Sequence, residues 1–397
     1  MIQNPPNYAV ISIQNGVDVP ANSLPVTTSP AGPLAGSGTT KAIPKVSLRA
    51  VNPNIATSYA HLMSLSLERE IHHNLVAGID YSGSFGEKLY DIANINRTGS
   101  GNVYLGDAPA LGLTRIKATQ YSNINYRNDA GKSHYNALVA RLGMRNWAGT
   151  GLTLDANYTW AHALDELSDT FSSSGNNFNL GYLDPFNPKV DYGNSYIDTR
   201  HRFTAQAIWE VPFGKHATGW QKQVASGWTI SPIFLAETGS PFSVYDCTWE
   251  FFTVCPYAVN AAGATIPRSA PGSLQPGGAA DTFIYTPFFS GSSQLFDNAA
   301  PFNATTGTSE FGPFPARMNA RNAFRGPGYW NISVAAEKSF SIRENMKLKL
   351  RGEAYNVFNH ANLFISGGDT DVSQSQPYVD AFKDGSRTMQ LAIRLEF

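Results

Sequence analysis

Long stretches of the chain alternate apolar and polar residues with a period of two, the pattern of a strand with one greasy face and one wet face. The clearest case closes the sequence: Met389, Leu391, Ile393, Leu395 and Phe397 alternate with Thr388, Gln390, Ala392, Arg394 and Glu396. The same pattern predicts a hairpin from Tyr59. Met63, Leu65 and Leu67 alternate with Ser64, Ser66 and Glu68, the chain turns at His72 to Asn74, and it returns as Leu75, Ala77, Ile79, Tyr81 and Phe85. Strands at 134–146 and 152–164 predict a second hairpin, followed by strands at 201–211, 227–238, 330–340 and 346–358.

Short turns alternate with long polar segments at 87–132, 165–200, 239–328 and 359–387. About nine strands of ten to fourteen residues with this rhythm predict an all-β fold, an antiparallel transmembrane β-barrel fragment with short periplasmic turns and long extracellular loops. A soluble sandwich would use strands of about five or six residues and show no such alternation. Residues 1–56 are rich in Pro, Asn, Ser, Gly and Thr and are read as a loop-rich extracellular segment of a truncated barrel, with residues 57–397 as the carboxy-terminal part of the barrel. An odd strand count leaves the two ends on opposite sides of a membrane, so the expectation is a piece of a larger barrel, with an unpaired seam beside the last strand.

Composition narrows the class. Charged residues make up 15% of the 397, against roughly 25% in a typical soluble domain, yet the mean hydropathy of -0.23 excludes a helical membrane protein. No apolar run of about 18 residues is present. Met1-Ile2-Gln3-Asn4-Pro5-Pro6 carries no secretion signal, which adds the expectation that the start lies upstream. A net charge of -1 leaves no basic stripe for nucleic acid. Trp147, Trp160, Trp209, Trp228 and Trp330 fall near strand ends, as interfacial girdles do, with buried core aromatics as the alternative.

Candidate chemistry is sparse. Cys247 and Cys255, the only two cysteines, are read as a disulfide candidate in an oxidising compartment in preference to two free thiols. His72 and His73 are read as a solvated turn. Asp165, Glu166, Asp169, Asp184, Asp191 and Asp198 could hold a divalent cation, but the calcium-loop spacing is missing and solvated turn residues are preferred. Arg202, Glu210, Glu337, Lys347, Lys349, Arg351, Glu353, Arg394 and Glu396 fall on the wet faces and are read as lumen-facing charges pairing across strands. Met389, Leu391, Ile393, Leu395 and Phe397 are read as the closing strand and assembly signal. No catalytic motif, metal site or cofactor fingerprint occurs, and no enzyme is expected.

Several phrases, in order, resemble the TonB-dependent receptor family of the Oar-like type found in Acidobacteria. They are N-P-N-I-A-T-S-Y from Asn52, S-L-E-R-E from Ser66, Y-N-A-L from Tyr135, Y-T-W-A-H-A-L-D from Tyr158 and D-T-R-H-R-F from Asp198. V-P-F-G from Val211, G-S-P-F from Gly239, R-N-A-F-R-G-P-G from Arg321 and F-N-H-A-N-L from Phe358 follow. The resemblance covers most of the chain beyond Asn52. It implies a Gram-negative outer-membrane barrel whose plug and energy-coupling box are absent from this chain. The implied partners are outer-membrane lipid, the barrel assembly machinery and a TonB-type energy-coupling protein, and the implied function is uptake of a solute. A small passive pore or surface-binding barrel, and a soluble carbohydrate-binding module, remain as alternatives.

Overall fold

The computed structural model describes residues 9–10, 46–97, 121–168, 181–214, 217–246, 255–261, 274–276, 282–285, 296–297, 302–303, 308–309, 314, 317–343, 346–365 and 379–397. Nine long strands form an antiparallel meander: β1 (Tyr59–His72), β2 (Leu75–Asn94), β3 (Tyr121–Met144), β4 (Leu152–Asp165), β5 (His201–Glu210), β6 (Trp228–Glu237), β7 (Tyr329–Arg343), β8 (Met346–Tyr355) and β9 (Thr388–Glu396). Each pairs with the next in sequence. The all-β antiparallel fold class expected from the pattern is what the chain adopts.

Turn chemistry explains the tight end of the meander. Asn74 takes a left-handed conformation (φ 65°) between β1 and β2, and Asn146 (φ 43°) does so between β3 and β4, positions where Asn is tolerated because its short side chain bonds locally. The β5–β6 connection holds a short helix, α1 (Gly219–Ala225), which the alternation pattern did not anticipate.

Register then decides the faces. Leu67 stands opposite Ile79, Ile79 opposite Ala140, Ala140 opposite Tyr158, and Tyr158 opposite Phe203. At the other edge Leu391 stands opposite Gly352, Gly352 opposite Ala336, and Ala336 opposite Ile230. One continuous apolar belt therefore runs across all nine strands, because a period of two allows no strand to slip by one without inverting its face. Tryptophans mark both borders: Trp160 and Trp330 lie toward the long loops, Trp147, Trp209 and Trp228 toward the short turns.

β2 and β3 are longer than the alternation suggested. The apolar rhythm of β2 ends at Phe85 and that of β3 begins at His134, but the ladder continues through Leu89–Gly131, Asp91–Asn128 and Asn94–Asn125, interrupted by irregularities after Gly86 and Leu89. Beyond the belt no face needs to be apolar, so backbone pairing continues without the periodic signal. Val46–Val51, inside the segment read as loop, adds a strand parallel to the start of β3.

Among the described residues, β1 pairs only with β2 and β9 only with β8 along the meander. Every residue of β1 is exposed, as are eight of the nine of β9. The buried core lies elsewhere, where the long connections fold onto the sheet's end: Leu183, Val244, Tyr245, Ala258 and Phe324 are each almost fully enclosed.

Candidate functional site

The polar face opposite the belt carries a ladder of ion pairs. Between β1 and β3, Asp80 accepts from Ser66 and meets Arg141 at 2.5 Å, with Glu68 3.7 Å from the same guanidinium. Arg145 meets Asp155 at 3.0 Å, and Arg202 meets Glu237 at 3.6 Å. Toward the last strand the pairs interlock: Glu337 with Arg351 (3.8 Å) and Lys349 (4.0 Å), Lys349 with Glu396 (2.9 Å), Arg394 with Glu396 (3.4 Å) and Arg351 with Glu353 (2.6 Å). Lys347 stands opposite Glu396, and Glu210 opposite Thr229 on the same face. Opposite charges on neighbouring strands hold register while keeping this surface wet. Arg141 escaped the sequence reading because it sits alone among apolar and small residues, and only register brings it to Asp80.

Above this ladder, at the long-loop end, four of the phrases quoted for the resemblance converge on one buried polar cluster. Arg321, nine-tenths enclosed, donates to the Asp165 carboxylate and carbonyl, to Ser168 Oγ at 2.9 Å and to the Asp191 carbonyl at 2.5 Å. Arg325 donates to the Asp198 carboxylate and, at 3.0 Å, to its carbonyl. Asp198 also accepts the Ala163 N–H at 2.6 Å. Asn322 donates to the Asn194 carbonyl at 2.7 Å, and its N–H donates to Ser243 Oγ at 2.9 Å. Pro241–Phe242 pairs with Phe324–Arg325, so G-S-P-F zips directly to R-N-A-F-R-G-P-G. Gly239 lies against the Gly326 and Pro327 carbonyls, where a Cβ would come to 2.0 Å of the former. No larger residue fits that crossing.

This corrects the reading of the acidic residues. Asp165, Glu166, Asp184, Asp191 and Asp198 are buried rather than solvated, because the long loops fold inward and Arg321 and Arg325, more than 120 positions away, close over Asp165, Asp191 and Asp198. Asp169 lies outside the described residues. No cluster with metal-binding geometry occurs among the described residues.

Burial dominates the electrostatics. Asp191 accepts from Tyr257 Oη (2.5 Å) and the Leu183 N–H (2.8 Å), yet enclosure pushes its carboxyl up to about 6. Asp91 is likewise pushed up to about 6 by burial, although the Ala130 N–H donates to it at 2.6 Å. Burial brings Arg97, which donates to the Leu183 carbonyl, down to about 10. It raises the Tyr245 hydroxyl to about 12. Arg321 is also disfavoured by burial, but the neighbouring Asp165 and Tyr257 outweigh this and raise it. The unsatisfied oxygens Asp91 Oδ1 and Glu166 Oε2 and the Tyr182 hydroxyl are enclosed in the same region. Arg321 and Arg325 are engaged with the carboxylates and carbonyls of Asp165, Asp191 and Asp198, an arrangement that suits a rigid support for the loops.

The remaining candidates fall elsewhere. Cys255 is disulfide-bonded, and Cys247 lies outside the described residues. His72 is exposed on the short turn, its ring 5.6 Å from that of Trp147. Met389, Leu391, Ile393, Leu395 and Phe397 point outward at the free edge, Leu391 and Phe397 each 87% exposed.

A family profile described as "Outer membrane beta barrel domain" matches residues 1–390. Among solved structures, the chain is similar to the outer membrane transporter YddB of Escherichia coli (8% identity, TM-score 0.41, covering 89% of this chain and 34% of that one). It is also similar to BauA, the ferric preacinetobactin receptor of Acinetobacter baumannii (10%, 0.39, 85% and 29%). A ferric enterobactin receptor, PfeA, of Pseudomonas aeruginosa gives 10%, 0.41, 88% and 33%. The chain spans about a third of the length of these proteins. A comparison with curated proteins finds no match.

Proposed function

We propose that this chain, which belongs to the outer membrane beta barrel domain family, serves as barrel wall in a TonB-dependent receptor of the Oar-like kind that takes up a solute across the Gram-negative outer membrane. The observation that supports this most is the pairing of two opposed surfaces. A nine-strand apolar belt faces lipid, and a charged wall faces the lumen beneath loops tied down by the Arg321 and Arg325 cluster. A soluble carbohydrate-binding module would not leave Leu391, Ile393 and Leu65 more than 70% exposed in one belt.

In this reading β1 and β9 pair with further strands of the complete barrel, since unpaired strand edges are not tolerated in hydrocarbon. The lumen charges bear on a plug, and a TonB-type protein supplies energy to it. The test is solute uptake by cells carrying the whole receptor, with the energy-coupling protein present or deleted. Loss of uptake on deletion supports the proposal, whereas undiminished uptake means a passive pore.

A further inference from the structure

On the outward face, at the level where β6 begins, a groove of about 560 Å³ crosses β7 and β8. Its floor is made of small residues on adjacent strands, Ala336 and Gly352, which stand directly opposite each other. One wall is Trp228 with Val224 of α1, and the other is Leu391 and Ile393 of β9. The Trp228 indole donates to the Val224 carbonyl at 2.9 Å, which fixes that wall to the helix.

Arg351 borders the groove but turns its guanidinium to Glu337 and Glu353, so the lining is apolar apart from one group, the largely enclosed Lys338. Lys338 interrupts the outward row Trp330, Ile332, Val334, Ala336 and Phe340, and its register partners Trp228 and Leu350 are both apolar. Its ammonium lies 4.9 Å from the Phe340 ring centre and 5.6 Å from that of Trp228, and it donates to the Ser226 carbonyl. That leaves two N–H donors, and among the described residues no carboxylate pairs with it. The neighbouring Glu337 points to the other face, toward Arg351 and Lys349. A cation on a lipid-facing surface is costly unless it reaches the headgroup level or meets an anion. Here the rest of the groove is shaped for hydrocarbon.

We propose that this groove binds one anionic phospholipid of the periplasmic leaflet, with an acyl chain over Ala336 and Gly352 and the phosphate on Lys338. The short-turn end of such barrels faces the periplasm, and that leaflet supplies phospholipid. Charge complementarity selects an anionic headgroup, and Trp228 marks the interfacial depth at which a phosphate sits.

The experiment folds the chain into detergent micelles and titrates it with phosphatidylglycerol or phosphatidylcholine of identical acyl chains, counting bound lipid by native mass spectrometry. The expected result is one retained phosphatidylglycerol, preferred over phosphatidylcholine by about fivefold, the size of one lysine contact with an anionic lipid. Lys338→Met should abolish the preference while leaving weak binding of both lipids. Gly352→Leu, which fills the floor, should lose both. Lys338→Arg should keep the preference, and it carries the test if Lys338→Met does not fold, as judged by heat-modifiable migration. Equal retention of the two lipids by the unaltered chain, a preference that survives Lys338→Met or is lost in Lys338→Arg, or a second copy of the chain occupying the groove would each overturn the proposal.

Discussion

The guanidinium of Arg321 lies against the carboxylate of Asp165, a residue 156 positions earlier in the chain. The pair ties the end of β4 to the segment that precedes β7. Both partners are buried, so removing one strands the other's charge, at a cost of about 3–5 kcal/mol. Arg321→Met should therefore open the long-loop end to protease while the nine-strand belt stays folded. Limited proteolysis combined with heat-modifiable migration would show both, and loops as resistant as before would contradict the role given to Arg321.

The same cluster should respond to mild acid. Asp91 and Asp191 ionise near 6 in the folded chain against an ordinary value of 3.8. A raised carboxyl favours the neutral form, so its contribution is fully present below about pH 4 and is lost as pH rises through about 6. Protection of the Leu183 and Ala130 amides, corrected for intrinsic exchange, should fall between pH 4 and 7 by up to about 3 kcal/mol for each group. Asp91→Asn should flatten the response at Ala130 alone. Protection that rises with pH would give the wrong sign.

The two faces should tolerate charge unequally. Ala140→Arg places a cation in the middle of the lipid-facing belt and should destabilise the folded barrel by about 2–4 kcal/mol. Val139→Arg, one residue away, points to the wet face opposite Asp80 and should be far milder. Folding yields into lipid vesicles that rank the two variants the other way would invert the assigned faces.

Cys255 is disulfide-bonded, and its proposed partner is Cys247. A loop this short contributes about 2–3 kcal/mol by restricting the unfolded chain. Peptide mapping without reductant should recover a linked Cys247–Cys255 peptide, and Cys255→Ser should loosen the 241–260 region first. Intermolecular dimers in its place would rule out the pairing.

Alternation alone was enough to place all nine long strands and their order of short and long connections, because a membrane barrel must repeat the same apolar solution on every strand; it divided the faces of all but β6, where Ile233 and Leu235 are as apolar as Ile230 and Phe234 and register decides. It also put Glu337, Lys349, Arg351 and Arg394 on the wet side. It could not reach what lies beyond the belt. There β2 and β3 continue without any periodic requirement, and the carboxylates expected in solvent are enclosed by arginines from distant loops. Register, a relation between strands, brought Arg141 to Asp80 and set Lys338 between Trp228 and Leu350. Local pattern is dictated by the solvent each residue meets. Which distant residues meet one another is decided only when the loops close over the end of the sheet.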